Sequence, residues 1–363
     1  MNVIEKERCT GCMACKNACP RNIIQIIEDK KTGFLYPEIN KEYCINCGIC
    51  KRVCPVENKL KENFNDIEVY ACKNKDENVR LQSSSGGIFS LMASYILDNN
   101  GIVFGAKFNE KFEVEHDYTE VKEGLEKFRC SKYLQSKIGN SYKKVKEFLE
   151  EDRLVFFTGT PCQVEGLISY LGKDYDKLYT QDIICHGVPS PKVWRKYLEY
   201  KNKLHNELPE EINFRDKNVE GWTKFRLNFK YKNFEENEKL REDFYMKMFL
   251  ENFDLRDTCY NCNFKKEKRK SDITVADFWG INKVRPEMND EKGTSVVLIN
   301  SSKGKNLWNN IIDKIDYTEE NIEDIKQYNS AFIKSVPYNE QREGFFEDLE
   351  KMSFEELIKK YKK

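Results

Sequence analysis

Eight cysteines fall within the first 54 residues, in two blocks of one pattern. CTGCMACKNACP places Cys9, Cys12, Cys15 and Cys19 before Pro20, and CINCGICKRVCP places Cys44, Cys47, Cys50 and Cys54 before Pro55. Both blocks read C-x2-C-x2-C-x3-C-P, the bacterial ferredoxin spacing in which the fourth cysteine serves the other cluster. The spacing therefore predicts one 4Fe–4S cluster on Cys9, Cys12, Cys15 and Cys54, and a second on Cys44, Cys47, Cys50 and Cys19. Three thiolates come from a tight loop and the fourth from a distant segment, with proline fixing the turn that follows. Gly11, Ala14 and Gly48 are small enough to let backbone N–H groups approach the sulfides. Zinc is the alternative, but it usually takes one cysteine pair from each of two places, not two runs of four. A disulfide framework fits less well, because nothing marks the chain as secreted.

At 363 residues the chain allows two or three domains and a sizeable core. Its formal net charge of zero removes any global argument for nucleic acid or an anionic membrane as partner. No run approaches the ~20 apolar residues of a membrane span. The N-terminus MNVIEKERCTGC lacks the basic, apolar, small-residue order of a signal peptide. With 14 cysteines and no such signal, the expectation is a cytoplasmic protein, where thiols and clusters survive.

The expected fold class is α+β: an N-terminal bacterial-type ferredoxin module (residues 1–60), an α/β mixed-sheet domain (67–317) that would bind a flavin, and a helical C-terminal tail (318–363). Residues 23–27 and 34–39 read as the short strands of the module, and the polar stretch 57–66 as a linker. Strands are predicted at 69–73, 102–108, 154–157, 178–184, 273–276 and 295–300, and a hairpin over 212–232. A helix is predicted from Ile88, whose apolar residues Ile88, Phe89, Leu91, Met92, Tyr95 and Ile96 share a face until Asn99-Asn100-Gly101 stops it. Another helix follows Pro161 to about Leu171. Ser190 and Pro191 occupy cap and first-turn positions of a third. Strands alternating with helices point to an α/β core.

Four further cysteines have the look of ligands: Cys162, Cys185 and the CYNC pair Cys259 and Cys262. Cys162 and Cys185 each sit where a predicted strand gives way to a helix, the end of an open sheet at which ligands collect. Helix N-termini also favour thiolate. A third 4Fe–4S cluster is one reading; a zinc ribbon at Cys259 and Cys262, with the other two as core residues, is the other. Cys72 and Cys130 have no partner in sequence and read as small apolar residues. The turn Ser83-Ser84-Ser85-Gly86-Gly87 could cradle a phosphate with its backbone N–H groups, as could Thr158-Gly159-Thr160. Either could equally be a plain cap. Neither matches a dinucleotide-binding or P-loop fingerprint.

Together with CSKYLQS at 130–136, FTGTPCQ at 157–163, DIICHGVPSP at 182–191 and SDITVADFWG at 271–280, these blocks resemble the coenzyme F-420 hydrogenase/dehydrogenase beta-subunit family. The likeness runs to about residue 300. It implies FAD in the α/β domain and a third cluster on Cys162, Cys185, Cys259 and Cys262. It also implies FAD contacts at Ser84, Ser85, Gly86, Gly87, Lys132, Tyr133, Thr158, Gly159 and Thr160. The acceptor varies within the family, from the deazaflavin F-420 to chlorophyll precursors. The segment from Ser271 to about residue 305 looks like that of a branch associated with surface-polysaccharide gene clusters.

The expected function follows from electron counting. Clusters pass one electron at a time, hydride acceptors need two, and a flavin handles both. Lys132 is the first candidate for a cation beside the reduced flavin and Arg129 the second. His186 could move a proton or tune the adjacent cluster. Asp277 and Trp279 could wall the pocket, or simply pack. The basic run 265–270 could dock an acidic donor, or be a solvated loop. Expected partners are a redox protein, ferredoxin or a hydrogenase/dehydrogenase subunit, and a small organic acceptor. The competing expectation is a non-catalytic electron-transfer subunit of a larger complex.

Overall fold

The computed structural model describes residues 3–58 and 66–362. Most of the expected linker, residues 59–65, lies outside the described residues. The N-terminal module carries one antiparallel hairpin, β1 (Ile24–Glu28) with β2 (Leu35–Ile39), in register Ile24 to Ile39. Its short helices Ala14–Ala18 and Ile49–Arg52 each start from a residue in the left-handed region, Met13 and Gly48.

The larger domain is built on a nine-stranded sheet. Its strands are β3 (Glu68–Asn74), β4 (Ile102–Phe108), β5 (Val114–Thr119), β6 (Ser136–Lys137), β7 (Val155–Thr158), β8 (Leu178–Ile183), β12 (Ile273–Asp277), β13 (Ser295–Ile299) and β14 (Ile315–Glu319). Spatially they run β14-β3-β13-β12-β8-β7-β4-β5-β6. The central four, β12, β8, β7 and β4, are mutually parallel. Strands buried on both faces read as unbroken apolar runs, as in LVFF before Thr158. Alternate residues serve opposite faces: Phe156 packs with Ile88, Met92, Ile96 and Trp308, whereas Val155 and Phe157 pack with Tyr142, Val145, Val164 and Leu167. The helices covering the sheet are thus Ile88–Asp98 and Ser302–Asn309 on one side, and Ser141–Glu150 and Pro161–Leu171 on the other.

A second, three-stranded antiparallel sheet joins β9 (Glu211–Asp216), β10 (Arg226–Lys230) and β11 (Glu235–Lys239). The predicted hairpin is its first pair, and β11 (EENEK) extends it. That sheet, the helix Pro191–His205 and the C-terminal helices Arg342–Lys351 and Phe354–Tyr361 enclose a core of Trp194, Tyr197, Phe214, Phe229, Tyr245, Phe345 and Phe354. The boundary expected at 318 falls inside β14, which pairs with β3 from Ile315–Asn74 to Glu319–Tyr70. Helices occupy most of the chain beyond it.

A buried cation sits at the junction of the two parts, alongside bonds such as Ser190 to the Thr32 carbonyl and Asn17 to the Gly139 carbonyl. Arg256 is only 1% exposed. Its guanidinium donates to the carbonyls of Cys9 (2.6 Å) and Leu35 (3.0 Å) and to Gln135 Oε1 (3.4 Å), and lies over the Tyr36 ring at 4.2 Å. Gln135 Oε1 also accepts from the Leu35 N–H. Gly11 is in the left-handed region (φ +74°), and a Cβ there would lie 2.5 Å from Gln135 Nε2 and 3.0 Å from Arg256. Its small size is therefore required by this seat as well as by its backbone angle.

Candidate functional site

The chemistry-bearing residues gather at one edge of the large sheet. Parallel strands β7 and β8 pair Thr158 with Gln181, so the segments leaving them carry Cys162 and Cys185 to neighbouring positions. The helix Pro161–Leu171 starts at Thr160, whose N–H is held by Gln163 Oε1 (3.0 Å) and whose hydroxyl lies 3.2 Å from Cys162 Sγ. Leu255 bridges back to Pro189 and the Arg256 N–H donates to the Val188 carbonyl, which brings the turn containing Cys259 and Cys262 against Cys185. A Cβ on Gly187 would meet Cys259 Cβ at 3.5 Å.

The twelve cysteines form three electrostatic neighbourhoods. Cys12, Cys15 and Cys54 each feel the charge of Cys9, and Cys12 and Cys15 that of Cys54. These four line a single enclosed space, with Val3, Ile26, Leu35 and Val56 as its apolar walls. Cys50 feels Cys44, Cys47 and Cys19. Cys54 thus lies near Cys9, Cys12 and Cys15, and Cys19 near Cys50. Cys162 faces Cys262 and Cys185, and Cys185 faces Cys259 and Cys262. Burial pushes the thiols up, Cys162 well above its ordinary value, Cys185 to about 12 and Cys259 to about 11. The helix N-terminus at Cys162 does not overcome that desolvation. Four thiolates in so dry a place would repel one another; a cationic iron core removes that cost. The donor set therefore fits a cluster. No three His, Cys, Asp or Glu side chains among the described residues converge as they would round one ion. A cubane holds its four thiolates farther apart than a single metal does.

The first and third sets share a helix. Gly166 lies one turn beyond Cys162, where a Cβ would be 3.1 Å from Cys12 Sγ and 3.0 Å from the Tyr142 hydroxyl. Residues i and i+4 of a helix have Cβ atoms roughly 5–6 Å apart on one face. Glycine at 166 thus lets the inner ferredoxin set rest on the helix that presents Cys162.

The serine-glycine turn lies at the same sheet edge. Gly86 donates its N–H to Ser295 Oγ (2.8 Å), and its position leaves no room for a side chain, since a Cβ would lie 2.4 Å from the Cys72 carbonyl. Ser84 Oγ accepts from the Ser131 N–H (2.7 Å), tying the turn to the 130–136 block. Ser85 donates to the Thr294 carbonyl. Tyr133 stacks on Phe249, and its hydroxyl accepts from Arg215 (3.2 Å). Lys132 folds back on its own loop, donating to the carbonyls of Arg129 (2.7 Å) and Cys130 (3.2 Å), and burial pushes it down to about 8. Arg129 is committed to Ser90 and Gln82. Thr158 donates its hydroxyl to the Phe104 carbonyl. His186, beside Cys185, has its ring held by Asn252 (2.8 Å) and edge-on to Phe249. Cys72 is fully buried; Cys130, in the left-handed region, donates to the Gln82 carbonyl.

Several residues of this edge carry no motif. Arg215, 3% exposed, makes a two-pronged ion pair with Asp277 (2.7 and 2.8 Å) and donates to the Ser84 carbonyl (3.1 Å). Asp277 also accepts from the Trp222 indole, which stacks on Trp279 at 5.3 Å. Lys217 donates to the carbonyls of Arg80, Ser85 and Lys292, pinning the serine turn; desolvation and the nearby Arg215 and Arg80 push it down to about 7. His116 donates Nε2–H to the Thr158 carbonyl (3.0 Å) and accepts at Nδ1 from Ser136. Burial pushes it down to about 4, so it is neutral. The only sequence signal for these was a charged run, Arg215-Asp216-Lys217, closing an otherwise alternating strand.

Three cations of the basic run 265–270 are engaged within the fold. Lys265 donates to the His186 carbonyl, Lys266 pairs with the buried Glu165 (2.7 Å), and Arg269, 2% exposed, binds Asp182 and the Phe332 carbonyl. These cations hold the third cysteine set's surroundings together.

Comparison with known proteins finds two families, each matching a separate part of the chain. Residues 152–325 match the family described as the C terminus of the coenzyme F420 hydrogenase/dehydrogenase beta subunit, and residues 8–58 match the 4Fe-4S dicluster domain. The chain joins the C-terminal domain of an F420 hydrogenase/dehydrogenase beta subunit to a 4Fe–4S dicluster domain. The dicluster match carries two 4Fe–4S clusters with it. Among solved structures, a chain of the xenon-derivatised F420-reducing [NiFe] hydrogenase complex from Methanosarcina barkeri is similar, at 16% identity and a TM-score of 0.50. The likeness covers 75% of this chain and 88% of that one, and is one of fold. No curated protein matches. The dicluster match makes the chain an iron–sulfur electron-transfer protein. No helix among the described residues is long and apolar enough to cross a membrane.

Proposed function

We propose that the chain is an iron–sulfur flavoprotein oxidoreductase that collects single electrons for two-electron chemistry on an organic acceptor. The observation that carries this reading is the arrangement of twelve cysteines as three sets of four, two of them on one turn of the helix Pro161–Leu171. Cys19, Cys44, Cys47 and Cys50 hold the outer cluster. Cys9, Cys12, Cys15 and Cys54 hold the inner one, and Cys162, Cys185, Cys259 and Cys262 a third. FAD, when bound, supplies exchange between single electrons and hydride, which no side chain here provides.

The chain's own residues bind and orient. Ser84, Ser85, Gly86 and Gly87 present a turn fixed from below by Lys217 and Arg215. Thr158, Gly159 and Thr160 lie between His116 and Cys162, so a ligand on this turn is next to the third cysteine set. Lys132 and Tyr133 close the site from the 130–136 block. Buried Lys132 places a cation, favoured below about pH 8, where negative charge would be stabilised. His186 tunes the third cluster's surroundings and is held there by Asn252. The acceptor is F-420 or another small organic molecule, with surface-polysaccharide metabolism as one setting. The redox partner is a ferredoxin or a hydrogenase/dehydrogenase subunit, and the compartment is the cytoplasm.

Anaerobic purification with iron, sulfide and flavin analysis tests the proposal. About twelve irons per chain and stoichiometric FAD are expected. Cys162→Ala is expected to lose about four irons while the other two clusters keep their spectra. Iron content unchanged in that variant removes the third cluster, and dominant zinc or absent FAD overturns the reading as a whole. Turnover of a small acceptor by the isolated chain separates an enzyme from a relay subunit.

A further inference from the structure

We propose that a small acidic single-electron carrier protein docks on the outer cysteine set, over an unpaired cationic rim that the fold assembles there. The proposal rests on the iron–sulfur reading above and names the partner and the surface. The three cysteine sets differ in access: Cys47 is exposed and Cys19, Cys44 and Cys50 are half-buried, whereas Cys9, Cys12, Cys15 and Cys54 are buried. Exchange with another protein therefore belongs at the outer set. Beside it stand two large apolar side chains in water, Tyr43 (54% exposed) and Ile45 (60%), flanking Cys44. A small apolar centre of this kind suits the limited area of a transient redox encounter.

The charges around this centre are mostly basic, with exposed Glu42 beside Tyr43 as an acidic exception. Lys16, between Cys15 and Cys19, lies near enough to Lys143 and Lys137 for the three ammonium groups to repel one another. Lys143 reaches Asn22, three residues past Cys19 (2.7 Å). Arg52 lies over the outer loop, donating to the Cys47 carbonyl (3.2 Å). Lys51 adjoins Cys50 in sequence. Among the described residues, none of Lys16, Lys51, Arg52, Lys137 and Lys143 forms an ion pair. Unpaired like charges gathered at one place carry a cost. Like charges held together destabilise the free protein and are relieved by an anionic partner. Two of the lysines, Lys137 and Lys143, come from the larger domain, so the rim exists only when the ferredoxin module is seated.

Stopped-flow reduction of the anaerobic holoprotein by a reduced, acidic two-cluster ferredoxin tests this against reduction by dithionite. The second-order rate with ferredoxin is expected to fall roughly tenfold or more between about 10 mM and about 500 mM salt. Lys137→Glu/Lys143→Glu, which leaves the cysteine module's own sequence unchanged, is expected to fall by a similar factor at low salt and to lose the salt dependence. Lys16→Glu is the second variant. Dithionite, which needs no docking, is expected to reduce all three proteins at equal rates. A ferredoxin rate indifferent to both salt and charge reversal overturns the docking surface. A wild-type protein that dithionite cannot reduce overturns instead the iron–sulfur reading beneath it.

Discussion

Arg256→Met is expected to loosen the ferredoxin module from the sheet domain and to lower the stability of the whole by about 2–5 kcal/mol. The side chain is buried and meets no carboxylate at its three donor contacts. Its charge is balanced by the carbonyls of Cys9 and Leu35, by Gln135 Oε1 and by the faces of Tyr36 and Phe34. Methionine fills most of the volume but donates nothing, so two backbone carbonyls are left facing a dry cleft. Each orphaned group costs about 1–3 kcal/mol. The cost falls at the junction, because Cys9 and Leu35 belong to the module and Arg256 lies three residues before Cys259. Arg256→Lys keeps the charge and loses the planar fork, so an intermediate effect is expected. Thermal midpoints and amide exchange over residues 8–58 read this out. Unchanged midpoint and exchange in Arg256→Met would show that the other contacts across the junction, among them Asn17 to the Gly139 carbonyl and Ser190 to the Thr32 carbonyl, seat the module without it.

What the sequence disclosed divides along the range of the interactions. The crossed cysteine sets were legible because a cluster imposes a local spacing that no packing accident overrides. The strand at 102–108 and the cap at Ser190-Pro191 were legible for a like reason: periodicity and capping act within a turn or two. The strands that escaped notice are polar ones. β11 is EENEK and β14 is IDYTE, both edge strands whose partner, and not their composition, makes them extended. Their backbone groups pair with β10 and β3, and their charged side chains stand in water. The helix Ser141–Glu150 carries its apolar stripe on Tyr142, Val145, Phe148 and Leu149, set among charged residues.

The site shows the same division. SSSGG and TGTPC were visible as turns, yet nothing local indicates that Arg215 and Lys217, some 130 residues later, hold the first of them. The run 265–270 was misread for a related reason. Lys266 and Arg269 look solvated in such a run until buried Glu165 and Asp182 supply their partners. Composition records how many charges a segment has, and only the fold decides which way they point.

Asp254→Asn is expected to stabilise the protein, and to do so more at about pH 8.5 than at about pH 6. Asp254 is wholly buried, and neither carboxylate oxygen has a hydrogen-bond partner. Burial pushes the group up to about 7. The N–H groups of Ser190 and of Asp254 itself lie near enough to favour the charged form, yet neither reaches hydrogen-bonding geometry. Arg342 is the nearby cation, but its guanidinium is already used by the Leu255 carbonyl, Asp257 and Glu343. The sign follows from linkage. The unfolded chain releases this proton near its ordinary value of 3.8 and the folded chain only near 7. Stability from the retained proton is whole below about pH 4, declines as pH rises, and is gone above about pH 7. Asparagine does not titrate, so its advantage over the wild type should widen by about 1–2 kcal/mol between the two pH values. Unfolding of both proteins at each pH measures it, with all other titrations common to the pair. An offset that stays constant, or shrinks toward alkaline pH, would mean that Asp254 is ionised and well solvated in the folded chain, and that a carboxylate is tolerated in the wall between the third cysteine set and the aromatic core.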